Sequence, residues 1–113
     1  MNRIAFTLPD VGLREVRGTA YVEGGALVLR LKDALLGMMD EDRRTIRIEP
    51  SALLSVHVKR GLGRDRLVLR PHTPELLEAV PGEHVAAVEL RVRRKHRRAL
   101  EALVAEFEDA LYE

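Results

Sequence analysis

The chain has no cysteine. That excludes disulfide staples, thiol nucleophiles and cysteine metal centres. It also has no tryptophan, and only four aromatic residues: Phe6, Tyr21, Phe107 and Tyr112. Phe6 and Phe107 fall at core positions, so no stacking platform for single-stranded nucleic acid is left. No segment approaches the roughly 18 unbroken apolar residues of a membrane span. Charge of one sign is not in excess either: 19 basic and 18 acidic side chains give a net charge of +1. A dedicated nucleic-acid module carries a clear basic excess, so nucleic acid is not the expected partner. Glutamine is absent and Asn2 is the one asparagine. Depletion of thermolabile amides with many charges fits a thermophile, although a GC-rich genome would give the same arginine bias.

What is present is globular. The 113 residues are 46% hydrophobic and 33% charged, enough for one domain, 1–113, around one core. The first residues, "MNRIAFTLPDVGLRE", place a proline and an acid where a signal peptide needs an apolar run. The expected location is therefore the cytoplasm.

The dominant period is two, the signal of half-buried strands. Ile4, Phe6 and Leu8 alternate with Arg3, Ala5 and Thr7. Val16, Gly18, Ala20 and Val22 alternate with Arg17, Thr19 and Tyr21, and Leu27, Leu29 and Leu31 follow Gly24-Gly25. Two alternating runs around paired glycines predict a hairpin, because both glycines accept positive φ. Ile46 and Ile48 mark a fourth strand; Leu54, Val56 and Val58 a fifth; Leu67 and Leu69 a sixth; Ala86, Val88, Leu90 and Val92 a seventh. After Arg94 the period changes. Leu100, Leu103, Val104, Phe107 and Leu111 share one face of a helix. A short helix is expected over "TPELLEAV", with Thr73 as N-cap and Pro74 in the first position.

Seven strands followed by one amphipathic helix suit an antiparallel barrel of two packed sheets with its open end plugged. The hairpin "TAYVEGGALVLRL", the segment "RTIRIEPSALLSVHVKRG" and the terminal "VELRVRRKHRRALEALVAEF" carry this order. On them the chain resembles a small bacterial pleckstrin-homology-like domain over nearly its whole length. The resemblance implies a mainly β fold capped by a C-terminal helix. Eukaryotic members of that family often bind phosphoinositides or peptides, and some small bacterial ones form rings. It also implies that the helix-capped end lies opposite the phosphoinositide site, so the basic run at 91–98 inherits no lipid role.

No catalytic motif stands out. Ser51 and Ser55 lack a nucleophile elbow. His57, His72, His84 and His96 show no metal-ligand spacing, and His57 with His72 could meet only across a hairpin. "GLG" at 61–63 lacks the lysine of a phosphate loop and reads as a hairpin turn. No enzyme activity, metal or cofactor is expected. The basic residues carry more signal. By alternation Lys59, Arg66, Arg70, Arg91 and Arg93 point away from the core. On a meander of the last three strands they merge into one arginine-rich face, extended by Arg94, Lys95, Arg97 and Arg98. That face would hold an acidic protein, an anionic lipid surface or another polyanion, or it is a solvated face balanced by acids such as Glu89. Leu35, Leu36, Met38 and Met39 are too apolar for a plain loop, so they either fold onto the core or contact another protein.

The helix begins basic and ends acidic (Lys95, Arg97, Arg98; then Glu106, Glu108, Asp109, Glu113), against its own dipole. Pairing outside the helix must account for that, within the fold or between copies in a head-to-tail assembly. The expected function is a non-enzymatic interaction or scaffold module that self-associates and binds a protein. The alternatives are a peripheral binder of anionic lipid or another polyanion, and a small-ligand carrier or enzyme using a barrel pocket. Polar residues are missing from the inward positions, which disfavours the last.

Overall fold

The computed structural model describes residues 2–8, 14–35, 41–81 and 84–111. Seven strands come first and the long helix last: β1 (Ile4–Thr7), β2 (Arg14–Glu23), β3 (Ala26–Leu35), β4 (Glu41–Ile48), β5 (Leu53–Lys59), β6 (Arg64–Pro71), the short helix α1 (Glu75–Ala79), β7 (Val88–Arg93) and α2 (Arg97–Leu111). All the strands join one antiparallel sheet in the order β4-β3-β2-β1-β7-β6-β5. The sheet is not closed, since β4 and β5 are its two edges.

The alternation explains which face is buried. Ile4, Phe6, Val16, Ala20, Val22, Leu27, Leu29, Leu31, Ile48, Leu67, Leu69, Val88, Leu90 and Val92 all join one core cluster. Leu100, Leu103 and Phe107 of α2 complete it, and α2 packs on β1, β2, β3, β5 and β7. The Cα radius of gyration is 13.5 Å, as expected for a compact chain of this size. Gly24 and Gly25 have φ of 59° and 79°, the paired positive values of a two-residue hairpin turn. Gly18 serves a different purpose: a Cβ there would run into the carbonyl of Arg30 and the ring of Phe6. The absence of a Cβ at Gly18 leaves room for that ring.

Several expectations change. Leu54 is 64% exposed, whereas Leu53 is 5% exposed and in the core. The register between β5 and β6 slips between Leu53 and Ser55. An extra residue in one strand reverses the facing of what precedes it, and simple alternation cannot foresee that. Ala86 lies before β7 and is exposed. Pro74, not Thr73, occupies the N-cap of α1, and the Thr73 hydroxyl donates to the Glu75 carboxylate instead (2.7 Å). The connection after the third strand is shorter than its apolar sequence suggests, because β3 runs on to Leu35 and β4 begins at Glu41. Leu35 closes β3; Leu36, Met38 and Met39 lie outside the described residues.

The bulge makes a direct test. Leu53→Ala is expected to cost about 2–5 kcal/mol in urea unfolding, and Leu54→Ala less than about 0.5 kcal/mol. Equal losses would place both residues on the same face.

Candidate functional site

Strand β1 pairs on both sides. Thr7 is registered with Arg17 of β2 and with Arg91 of β7. Directly opposed residues in an antiparallel pair share a face, so the outer face of β1–β4 runs on into that of β6 and β7. On β2 and β3, Arg17 lies opposite Lys32 and Thr19 opposite Arg30; on β4, Arg43 and Thr45 continue these rows. Arg64 and Arg93 are opposed across β6 and β7.

A cleft of about 740 Å³ opens over this surface. Its basic lining is Arg3, Arg17, Arg30, Lys32, Arg43, Arg44, Arg64, Arg91, Arg93 and His96. Thr7, Thr19 and Thr45 add hydroxyls, and Ala5 leaves room between them. No aspartate or glutamate is among the described lining residues. Among the described residues, Arg17, Arg30, Lys32, Arg64, Arg91 and Arg93 have no carboxylate partner. Arg3 stacks over the buried Tyr21 ring, 4.7 Å from its centroid, and Arg44 donates to the Ala79 carbonyl at the end of α1 (3.1 Å). Guanidinium and ammonium groups are donors only, and they converge here with hydroxyl groups. The arrangement can hold the oxygens of an anion through charge-assisted hydrogen bonds.

The arginines singled out from the sequence do not all serve this surface. Arg91 and Arg93 line the cleft. Lys59 and Arg66 are registered with each other beyond its rim, and Arg66 pairs loosely with Glu89 (3.4 Å). Arg70 is exposed opposite Ser55. Arg94 donates to the Leu62 carbonyl (2.8 Å), tying the β5–β6 turn to the entry of α2. Lys95 and Arg98 are exposed. Arg97 turns inward. Its Nε and Nη2 donate to the two oxygens of Asp65, at 2.7 and 2.8 Å.

Asp65 is fully buried, and it was not among the residues picked from the sequence. A lone acid beside "GLGR" looks like a solvated turn residue. The Arg97 hydrogen bonds hold its carboxyl below the usual range, against the opposing effect of burial; the Gly61 N–H (3.4 Å) lowers it further. In turn Asp65 raises the Arg97 guanidinium above its ordinary value. Arg60 and Glu101 pair nearby at 2.6 Å. At the basic start of α2, Arg97 is thus met by an acid of its own fold, while Lys95 and Arg98 stay exposed. Of the cationic residues that the sequence did not single out, Arg3, Arg17, Arg30, Lys32 and Arg64 were legible one by one as outward or turn positions; Arg43 fell in the expected β3–β4 connection, and Arg44 shares the parity of Ile46 and Ile48 and is registered with Leu31. What was missing was the adjacency of β1 and β7.

Among the described residues, no group of three or more histidine, aspartate or glutamate side chains is placed to hold a metal ion. No described helix is long and apolar enough to cross a membrane. Comparison of the chain with protein-family models, with curated proteins and with solved structures finds no match.

The depressed Asp65 carboxyl sets a pH dependence. Its ionised form contributes stability in full above the ordinary carboxylate pKa of about 3.9, and the contribution is lost as pH falls through the lower folded-state value. Asp65→Ala should therefore lower the thermal midpoint at neutral pH by roughly 5–10 °C. The gap from the parent chain should narrow below about pH 4. A gap independent of pH in differential scanning calorimetry would show that the pair's charge is immaterial.

Proposed function

We propose that the chain is a non-enzymatic binding module of pleckstrin-homology-like architecture that takes an anionic ligand on its basic cleft. The observation that carries the reading is the cleft itself, lined by cations from five strands with no carboxylate among its described lining residues. Like charges directly opposed across strands destabilise a sheet. Arg17 opposite Lys32 and Arg64 opposite Arg93 are such pairs, and a bound anion would relieve them. The size falls within the range of ordinary ligand clefts. The architectural part of the reading is supported by the element order and by one core drawn from all seven strands. A sheet curled on itself beneath the terminal helix would produce such a core.

Tripolyphosphate is a suitable probe. It should raise the thermal midpoint, with an effect that fades as salt screens the site. Arg17→Ala and Arg91→Ala should each weaken its binding roughly tenfold in calorimetric titration. Arg98→Ala, on the exposed start of α2, should leave it unchanged. Equal effects from all three variants would reduce the cleft to general surface charge.

Self-association is a second reading, favoured by the far end of α2. Glu106, Glu108 and Asp109 have no cationic partner among the described residues, and one oxygen of Glu106 is buried without a hydrogen bond. The acidic end of one copy would then meet the basic face of the next. Sedimentation velocity should show association at low salt that dissolves at high salt. A monomer under both conditions would remove this reading.

A further inference from the structure

We infer that the anion is an extended phosphate chain laid across the strands, not a compact group seated in the cleft. The inference rests on the anion-binding reading and adds the shape and chemistry of the ligand. Its basis is the register. Arg43, Lys32, Arg17, Thr7, Arg91, Arg66 and Lys59 are directly opposed in succession, one from each strand, from one edge of the sheet to the other. Neighbouring strands lie about 4.8 Å apart, so the row follows the sheet surface for roughly 29 Å.

Two features show that the row is more than the cleft's floor. It runs past the cleft, whose lining does not reach Arg66 or Lys59. It also sets cation against cation at four junctions, Arg43 with Lys32, Lys32 with Arg17, Arg91 with Arg66, and Arg66 with Lys59. Glu89 lies against Arg66 (3.4 Å), whereas the Lys32–Arg17 junction has no carboxylate among the described residues and opposes sheet stability. Thr7, the one uncharged position, supplies a hydroxyl at the middle strand. A compact anion would reach only part of the row.

The ligand's chemistry follows from spacing and from what the face does not offer. An extended acidic peptide presents carboxylates on one side at every second residue, roughly 6.6 Å apart. That does not match the strand spacing of the row. Single-stranded nucleic acid needs aromatic faces for its bases. On this surface Tyr21 is buried under Arg3, and Phe6 lies in the core. A condensed phosphate chain carries charge on every unit and no base, so it can set oxygens against each cation without a fixed register. Arginine and lysine both bind phosphate oxygens, the former with two parallel hydrogen bonds.

The test compares probes and one variant at fixed ionic strength, using the full chain. Tripolyphosphate, a linear polyphosphate long enough to span the row, inositol hexakisphosphate and oligothymidylate are each titrated. The long polyphosphate should bind at least about tenfold more tightly than tripolyphosphate. Lys59→Ala, outside the cleft, should weaken the long chain several-fold and leave tripolyphosphate unchanged. Tighter binding of the compact inositol phosphate, or a long-chain affinity indifferent to Lys59→Ala, would overturn the extended ligand while leaving the anion site standing. Tighter binding of oligothymidylate would overturn the assignment to phosphate chains. Failure of every probe would remove the anion-binding reading itself.

Discussion

The position of β1 between β2 and β7 is the constraint on which the rest of the molecule depends. It is one of the shortest strands, four residues, yet it joins the two halves of the chain into one sheet. Its inward side chains, Ile4 and Phe6, link the core under β2 and β3 to that under β6 and β7. Its outward Thr7 links the cations of the two halves. If β1 slipped by one residue, its apolar and polar faces would exchange, and the core and the basic row would be interrupted together. Gly18 reinforces the register, since only a residue without Cβ leaves space there for the Phe6 ring.

Electrostatics on the two sides of the fold work in opposite senses. Near the start of α2 the charges are matched. Asp65 and Arg97 form a bidentate pair, Arg60 meets Glu101, and Arg94 holds the Leu62 carbonyl. These contacts fix the helix to the β5–β6 hairpin and account for Arg94 and Arg97 at a helix end where the dipole alone would disfavour them. On the outer face cations lie beside cations, as at Arg17 with Lys32 and Arg64 with Arg93, with Glu89 against Arg66. The apolar core carries that cost because burial of leucine and valine outweighs repulsion between solvated, screened charges.

Much of the architecture was legible in the sequence because a sheet with one dry face writes a period of two into its residues. The first three strands, the Gly24-Gly25 turn and the apolar stripe of α2 were readable on that ground. Leu54 was misread because the bulge before Ser55 moves the buried position back to Leu53. Asp65 could not be recognised because its partner lies 32 residues away. The site was half visible. Arg91 and Arg93 were picked out from the last strands, but Arg17 and Lys32 became their neighbours only through the long-range pairing of β1 with β7. Local pattern reports which face a residue takes and is silent about which strand lies beside it.

The central claim is that the outer face around β1 is an anion-binding surface. Amide chemical shifts followed by NMR during titration with polyphosphate would test it residue by residue. The account predicts that the largest changes cluster at Thr7, Arg17, Lys32 and Arg91, with Gly24 and the C-terminal turn of α2 unmoved. Changes confined to the exposed arginines at the start of α2, or spread evenly over every basic residue, would contradict it.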